Sequence, residues 1–496
     1  MGKQVGHKLK IAGWIAVGAI AGALTTVQMQ AVARGTLAPL PLEELQQFAA
    51  VFGMVKSDYV EPVNEKRLVA DAISGMVSSL DPHSQYFDKK EWKEFREGTS
   101  GRFVGVGIEI SMEDGLVKVV SPIEDSPAFR AGLKPGDLIT KIDDTAVKGL
   151  GIGDAVKLMR GEPKTKVLLT IFRKSENRSF PVTITREEIK TQSVKIRQVE
   201  PGYVWLRVSQ FQDRTVEDFT RKLEEQYKAN PNIKGVVLDL RNDPGGLLDA
   251  AVAISAAFLP ENATVVSTNG QLADSKAVYT ASAAYYLRRG GTDPIQRLTT
   301  VTNGVLKTVP LVVLVNEGSA SASEIVAGAL QDHKRAKILG NQTFGKGSVQ
   351  TVRPLGPDTG IKLTTARYYT PSGKSIQAKG IVPDVMIDET AEGNVFVGLR
   401  TREADLTKHL TNGKDAAVVK PMTDADRAAE QQRERDRETA RQRLEDEAKK
   451  NPDKRLVPEF GTNEDFQLKQ ALNQLKGQPV LVSKTLTERA EEKKEN

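Results

Sequence analysis

The chain has 496 residues, which at about 100–200 residues per domain allows three or four domains. Hydrophobic residues make up 39% and charged residues 27%, a balance that excludes a wholly disordered chain. With no cysteine and four histidines, disulfide scaffolds, thiolate metal sites and thiol nucleophiles are excluded, and no metal or other cofactor is expected.

The formal net charge is +6. Lys3, Lys8 and Lys10 are the only charged residues among the first 33, so the remainder carries +3, with both signs interleaved. No basic stripe forms, and nucleic acid is not expected as a partner. Residues 1–10 are basic, Ile11–Val27 is uncharged, and Ala31-Val32-Ala33 offers a small-x-small cleavage pattern. This order reads as a secretory leader over residues 1–33. The apolar run is close to the shortest membrane span, so an uncleaved anchor stays open as the alternative.

Leu42–Tyr59 places Leu42, Leu45, Phe48, Ala49, Phe52 and Val55 at helical spacing, and Glu65–Leu80 forms a second helical stretch ending at Asp81-Pro82. Residues 34–98 are expected to form a helical unit. Its apolar stripe suits either a dimer surface or packing against the rest of the chain.

From residue 99 the pattern changes to short strands. A Gly-rich turn, Gly105-Val106-Gly107-Ile108, enters a strand, and Leu116–Val120, Val167–Phe172 and Phe180–Arg186 follow. Short helices are expected after Ser126-Pro127 and over Asp154–Met159. With the segment Ala131-Gly132-Leu133-Lys134-Pro135-Gly136-Asp137-Leu138-Ile139, residues 99–186 resemble a PDZ domain of the kind found in bacterial proteases. The turn would offer backbone N–H groups of Gly105, Val106, Gly107 and Ile108 to a chain-terminal carboxylate, and the strand after it an edge for an extended peptide. Val156 and Met159 would floor the pocket.

Residues 187–395 alternate apolar strands with helices, an α/β core. Within it, residues 270–305 are rich in Ser, Gly and Thr and read as an inserted surface loop. Residues 396–496 are polar and charged. Asp424–Lys450 has no heptad seam. Phe466, Leu468, Ala471, Leu472 and Leu475 mark an amphipathic helix that could dock on the core, on another subunit or on a partner.

Three segments carry chemistry. Val313–Val315 is a strand that runs through Asn316-Glu317-Gly318-Ser319-Ala320 into a helix from Ser321. A side chain there meets free N–H groups and the positive helix end, which suits an attacking Ser and a developing oxyanion, although capping is the ordinary task of such a Ser. Val236–Leu240 leads into Arg241-Asn242-Asp243-Pro244-Gly245-Gly246, whose glycines let backbone approach a ligand. Gly340–Gln350 nearly spells a phosphate loop, but Gly347 stands where Ser or Thr must follow Lys346, and Ser348–Arg353 reads as strand. In an apolar setting, burial would lower the Lys346 pKa and make its amine a base for Ser.

Taken together, Gly-Ser-Ala-Ser-Ala-Ser-Glu-Ile and Thr-Phe-Gly-Lys-Gly-Ser-Val-Gln closely resemble the carboxyl-terminal processing peptidases, or tail-specific proteases, over about residues 40–390. The resemblance implies a serine endopeptidase with a Ser-Lys dyad: Ser321 as nucleophile, Lys346 as general base, Gln350 orienting Lys346, and Glu324 near the dyad. Ala322 with Gly245 or Gly246 would form the oxyanion hole. It also implies a core related to crotonase-like enzymes, protein substrates with nonpolar C-termini and a lipoprotein adaptor as candidate partner. The helical unit suggests a homo-oligomer of dimer size or higher, and the leader a periplasmic or inner-membrane-anchored location. Three competing readings are weaker. An inactive adaptor should have lost Ser321 or Lys346. A phosphate-loop ATPase is opposed by Gly347. A trypsin-like protease lacks its Gly-Asp-Ser-Gly-Gly-type motif, and His83 and His333 read as surface residues.

Overall fold

The computed structural model describes residues 41–123, 125–287, 291–391, 393–394, 399–412 and 458–483, with isolated positions between 435 and 446. The leader and most of Asp424–Lys450 lie outside the described residues. The chain divides into two units, residues 1–73 and 74–496. Among the described residues no helix is long and apolar enough to cross a membrane.

In the first unit the helix Leu42–Asp58 carries Glu43 and Glu44 in its first turn and Lys56 in its last, charges that complement the helix dipole. None of its residues is buried, and Leu42, Leu45, Phe48, Val51 and Met54 are exposed. Lys56 pairs at 2.8 Å with Glu65, the first residue of the helix Glu65–Ser78.

Residues 74–98, grouped on sequence with the helical unit, belong to the second unit. Gln85–Phe87 forms a strand that pairs antiparallel with residues 360–362. The helix Lys89–Ser100 opens on a reciprocal Asp88–Glu91 capping box and closes on Gly101 in the left-handed region. Its Phe95 stacks on both Phe87 and Trp92, and Trp92 packs tilted against Phe87. Gly360 admits the Trp92 ring, which a Cβ there would meet at 2.4 Å.

The PDZ sheet is antiparallel, in the order Ile108–Glu113, Leu116–Pro122, Leu138–Ile142, Lys166–Arg173, Arg178–Thr185. Alternating apolar positions on these strands close a core with the helix Ile152–Met159, among them Val117, Val119, Ile139, Leu169 and Ile171. Arg173, nearly buried, is satisfied by a two-toothed ion pair with Asp137 at 2.7 and 2.8 Å. Glu187–Lys190, placed on sequence in the next domain, pairs instead with Arg102–Gly105.

The core sheet has six strands, in the order Val194–Glu200, Tyr203–Val208, Gly235–Asp239, Leu311–Val315, Lys337–Gly340, Val385–Met386. All its pairings are parallel except the first. The strands Gly235–Asp239 and Leu311–Val315 are buried throughout, which is why Val236–Leu238 and Leu311–Val315 read as unbroken apolar runs. One face, with Val236, Leu238, Val313 and Val315, shares the main core with the helices Leu248–Phe258 and Ala322–Asp332. The opposite face, with Val237, Val312, Leu314 and Leu339, is covered by Leu468, Ala471 and Leu472 of the helix Phe466–Leu475. The amphipathic helix near the C-terminus therefore docks on the core, and each buried leucine contributes about 1.5–3 kcal/mol.

The expected surface loop over residues 270–305 is corrected in two places. Ala277–Thr280 is a strand paired with Thr264–Thr268, and the helix Pro294–Val301, capped by Asp293, buries Ile295 and Leu298. Its Thr299 and Thr300 hydroxyls bond back to carbonyls one turn earlier, so their polar groups are satisfied within the helix. A second sheet unites Gly360–Tyr369 with Ser348–Pro354, Thr264–Gly270 and Gln85–Phe87.

Candidate active site

Two parallel core strands end side by side, and their following turns form the site. Asn242 and Asn316 lock these turns together: the Asn242 N–H donates to Asn316 Oδ1 and Asn316 Nδ2 donates to Asn242 Oδ1, each at 2.8 Å. The residue expected to attack, Ser321, sits at the N-cap of Ala322–Asp332 with φ 55° and ψ −110°, a strained backbone for a non-glycine residue. Its neighbours are engaged. Ser319 Oγ donates to the Leu240 carbonyl at 2.7 Å and Ser323 Oγ to the Asp243 carbonyl at 2.9 Å. Ser321 is 8% exposed, and its hydroxyl donates to no acceptor among the described residues.

Glu324 lies three residues into the helix and is fully buried. Its carboxylate accepts from the backbone N–H of Ser321 at 2.8 Å, of Gly345 at 2.7 Å and of Lys346 at 2.9 Å, and from Thr343 Oγ1 at 2.5 Å. Burial pushes this carboxyl up to about 7, against the pull of those four donors. One carboxylate thus fixes the helix start at Ser321 and the loop that carries Lys346.

Lys346 is half-buried. Burial, and then the charge of Lys362, push its ammonium down to about 8, while Glu403, Glu324 and Asp81 pull the other way. No hydrogen bond joins Lys346 to Ser321 or to Gln350 among the described residues. Gln350 Nε2 donates instead to Ser348 Oγ at 2.9 Å and Thr364 Oγ1 at 3.4 Å. The strand ladder slips between Val349 and Gln350, and such a bulge re-aims a side chain.

The expected oxyanion segment lies against the Ser321 turn. A Cβ on Gly245 would stand 2.6 Å from the Ala320 carbonyl oxygen and 2.8 Å from the Ala322 nitrogen, and one on Gly246 would stand 2.0 Å from the Phe211 carbonyl oxygen. Both glycines also have positive φ, 93° and 142°. Only glycine fits this approach. The Gly245 N–H is taken by Asp243 Oδ1 at 2.9 Å, whereas that of Gly246 donates to no acceptor among the described residues. Asp243 itself is fully buried, its Oδ2 has no partner among the described residues, and burial pushes its carboxyl up to about 8.

Behind this turn Arg241 is buried between two carboxylates, Asp239 and Asp465, with its guanidinium over the Phe460 ring at 3.9 Å. Asp465 caps the C-terminal helix through the Leu468 N–H at 3.1 Å. The sequence places Asn242, Asp243 and Asn316 in the two turns but assigns no role to them or to Asp465. The position of each asparagine just past an apolar strand was the available signal for that pair.

In the PDZ domain, Gly105, Val106, Gly107, Ile108, Val156 and Met159 line a cavity of about 180 Å³. The Val106 and Gly107 N–H groups donate to no acceptor among the described residues. Their carbonyls are tied back by the Ala128 N–H and by Ser126 Oγ, at 2.9 and 2.8 Å. Ile108–Glu113 is an edge strand.

Family comparisons agree with this architecture. The model of Peptidase family S41 matches residues 202–387, that of the PDZ domain residues 104–184, and that of the activating protease CtpB N-terminal domain residues 16–91. The carboxy-terminal-processing protease of Bartonella bacilliformis is 43% identical over 349 residues, covering 70% of this chain and 76% of that protein. A probable CtpA-like serine protease of Staphylococcus aureus is 39% identical over 345 residues, covering 69% of this chain and 65% of that protein. Among solved structures, a photosystem II D1 C-terminal processing protease matches at 31% identity with a TM-score of 0.38, covering 69% of this chain and 86% of that one. The chain is a PDZ-containing serine-type peptidase. It belongs to peptidase family S41, with the carboxy-terminal-processing proteases.

Proposed function

We propose that the chain is an exported endopeptidase that cleaves proteins presented by nonpolar C-terminal tails, using Ser321 and Lys346 as a dyad. The observation that carries this reading is the shared Glu324 carboxylate, which holds the backbone of a serine with an unspent hydroxyl proton beside that of a lysine whose ammonium is destabilised by burial.

The neutral Lys346 amine takes the Ser321 hydroxyl proton as Oγ attacks the scissile carbonyl. The oxyanion forms against the Ala322 N–H and the Gly245–Gly246 turn, and Gly246 offers the N–H without a competing acceptor. The Lys346 ammonium then returns its proton to the leaving amine. A water deprotonated by the same amine hydrolyses the acyl-enzyme. Glu324 holds the backbone of both partners, and Gln350 must leave Ser348 if it is to steady Lys346.

The PDZ cavity, mostly apolar with Arg160 in its lining and two N–H groups at its turn that have no acceptor among the described residues, suits a nonpolar residue ending in a carboxylate. The leader pattern supports export to the periplasm, by a cleaved signal or with an inner-membrane anchor. A homodimer and a lipoprotein adaptor complete the reading.

The test follows degradation of an unfolded protein with a nonpolar tail, and of the same protein ending in Asp-Asp, by wild type, Ser321→Ala and Lys346→Ala. Cleavage by wild type alone, and of the nonpolar tail alone, is expected. Cleavage by all three enzymes would sink the dyad, and equal cleavage of both tails would sink PDZ recognition.

A further inference from the structure

We propose that Glu403, which lies beyond the matched peptidase core, is a positioning residue that clamps the loop carrying Lys346. The inference rests on reading Lys346 as the base.

Glu403 is fully buried and spans two parts of the loop. Its backbone N–H donates to the Phe344 carbonyl at 3.0 Å. Its Oε1 accepts from Gln377 Nε2 at 2.8 Å, and Gln377 Oε1 in turn accepts from the Gly347 N–H at 3.0 Å. Both residues flanking Gly345-Lys346 are therefore held through Glu403. Its Oε2 meets His83 Nε2 at 2.7 Å, so His83, expected on the surface, is drawn in until its side chain is 15% exposed.

A buried carboxylate is costly unless satisfied, and this one is bonded at both oxygens. The loop it grips has little freedom elsewhere. The Ala378 N–H donates to the Gly345 carbonyl at 2.8 Å, and a Cβ at Gly347 would meet the Gln377 nitrogen at 2.2 Å. The charged groups acting on the Lys346 amine are Lys362, Glu403, Glu324 and Asp81. Facing Glu403 itself is His83. Glu403 thus sets the loop by hydrogen bonds and also favours the ammonium by its charge.

The test measures kcat, KM and the pH profile of kcat/KM on one peptide substrate, with full-length wild type, Glu403→Gln, Gln377→Met and Lys346→Ala, after each melting curve has been recorded. Gln at 403 keeps an acceptor for Gln377 but removes the charge. Losing that charge lowers the Lys346 pKa, so the acid limb should move to lower pH. Gln377→Met breaks the relay next to Gly347 and should lower kcat on the order of tenfold or more with KM little changed, because the base is displaced rather than the substrate. A residue that served folding alone would leave the limb where it was. An unmoved limb in Glu403→Gln, or an unchanged kcat in Gln377→Met, overturns the inference while the dyad stands. Activity in Lys346→Ala overturns the dyad as well. Should Glu403→Gln not fold, Gln377→Met decides.

Discussion

The backbone N–H groups of Ser321 and Lys346, 25 residues apart in sequence, bond to one carboxylate oxygen, Glu324 Oε2, at 2.8 and 2.9 Å. The proposed nucleophile and the proposed base, on separate elements, would otherwise drift independently. Here a single buried side chain ties the two elements together. Glu324→Ala should therefore strand four buried donors, at about 1–3 kcal/mol for each group left unpaired. The expected outcome is a melting temperature far below wild type and loss of turnover even where the variant is folded. Calorimetry and a peptide cleavage assay on the same preparation check it.

The position of the Lys346 equilibrium predicts a pH profile. Its ammonium is pushed down to about 8, and only the neutral amine can take a proton from Ser321. kcat/KM should rise with pH and level off above that value. Lys346→Arg should be inactive throughout, because a guanidinium keeps its charge. A flat profile between pH 6 and 9 would contradict the assignment.

Asp243 makes a prediction about stability. Its carboxyl is raised to about 8 in the fold, above its ordinary value of 3.8. The folded chain then binds more protons than the unfolded chain between these values, so this group's contribution to stability falls as pH rises through that window. Asp243→Asn keeps an acceptor for the Gly245 N–H and cannot ionise. It should melt close to wild type at pH 4 and above it at pH 8, as differential scanning calorimetry would show.

The C-terminal helix is part of the peptidase fold. Asp465→Ala leaves Arg241 buried with one of its two carboxylates, and breaking a buried pair costs about 3–5 kcal/mol. The same change removes the cap on Leu468. The variant should unfold at lower denaturant concentration. Leu468→Ala, which only opens a cavity of about one side chain against Val237 and Leu314, should cost about 2–5 kcal/mol. Equal denaturation midpoints in wild type and both variants would mean that the helix is not docked in solution.

Much of the fold is legible along the chain. Leu311–Val315 and Val236–Leu238 announce themselves as unbroken apolar runs because both their faces are buried. The residues that share the PDZ cavity, from Gly105 to Met159, could be named from a Gly-rich turn and one amphipathic helix. Legibility fails where composition misleads. Ser and Thr over residues 270–305 suggested a loop, yet Asp293-Pro294 opens a helix whose Ile295 and Leu298 are buried. It fails too for Gln350, whose partner depends on a bulge that no local pattern marks.

What the sequence determined by itself was local: which runs are strands, where the tight glycine turns fall, and that Ser321 begins a helix. Hydrophobic period and turn chemistry act over a few residues, so a single chain displays them. Tertiary structure decided which distant groups meet. Only packing brings Glu403 to His83, 320 residues away, and Asp465 to Arg241, 224 residues away. The reason is physical: a buried charge must find its partner wherever the fold leaves one, and that choice follows from how the layers close, not from neighbours in the chain.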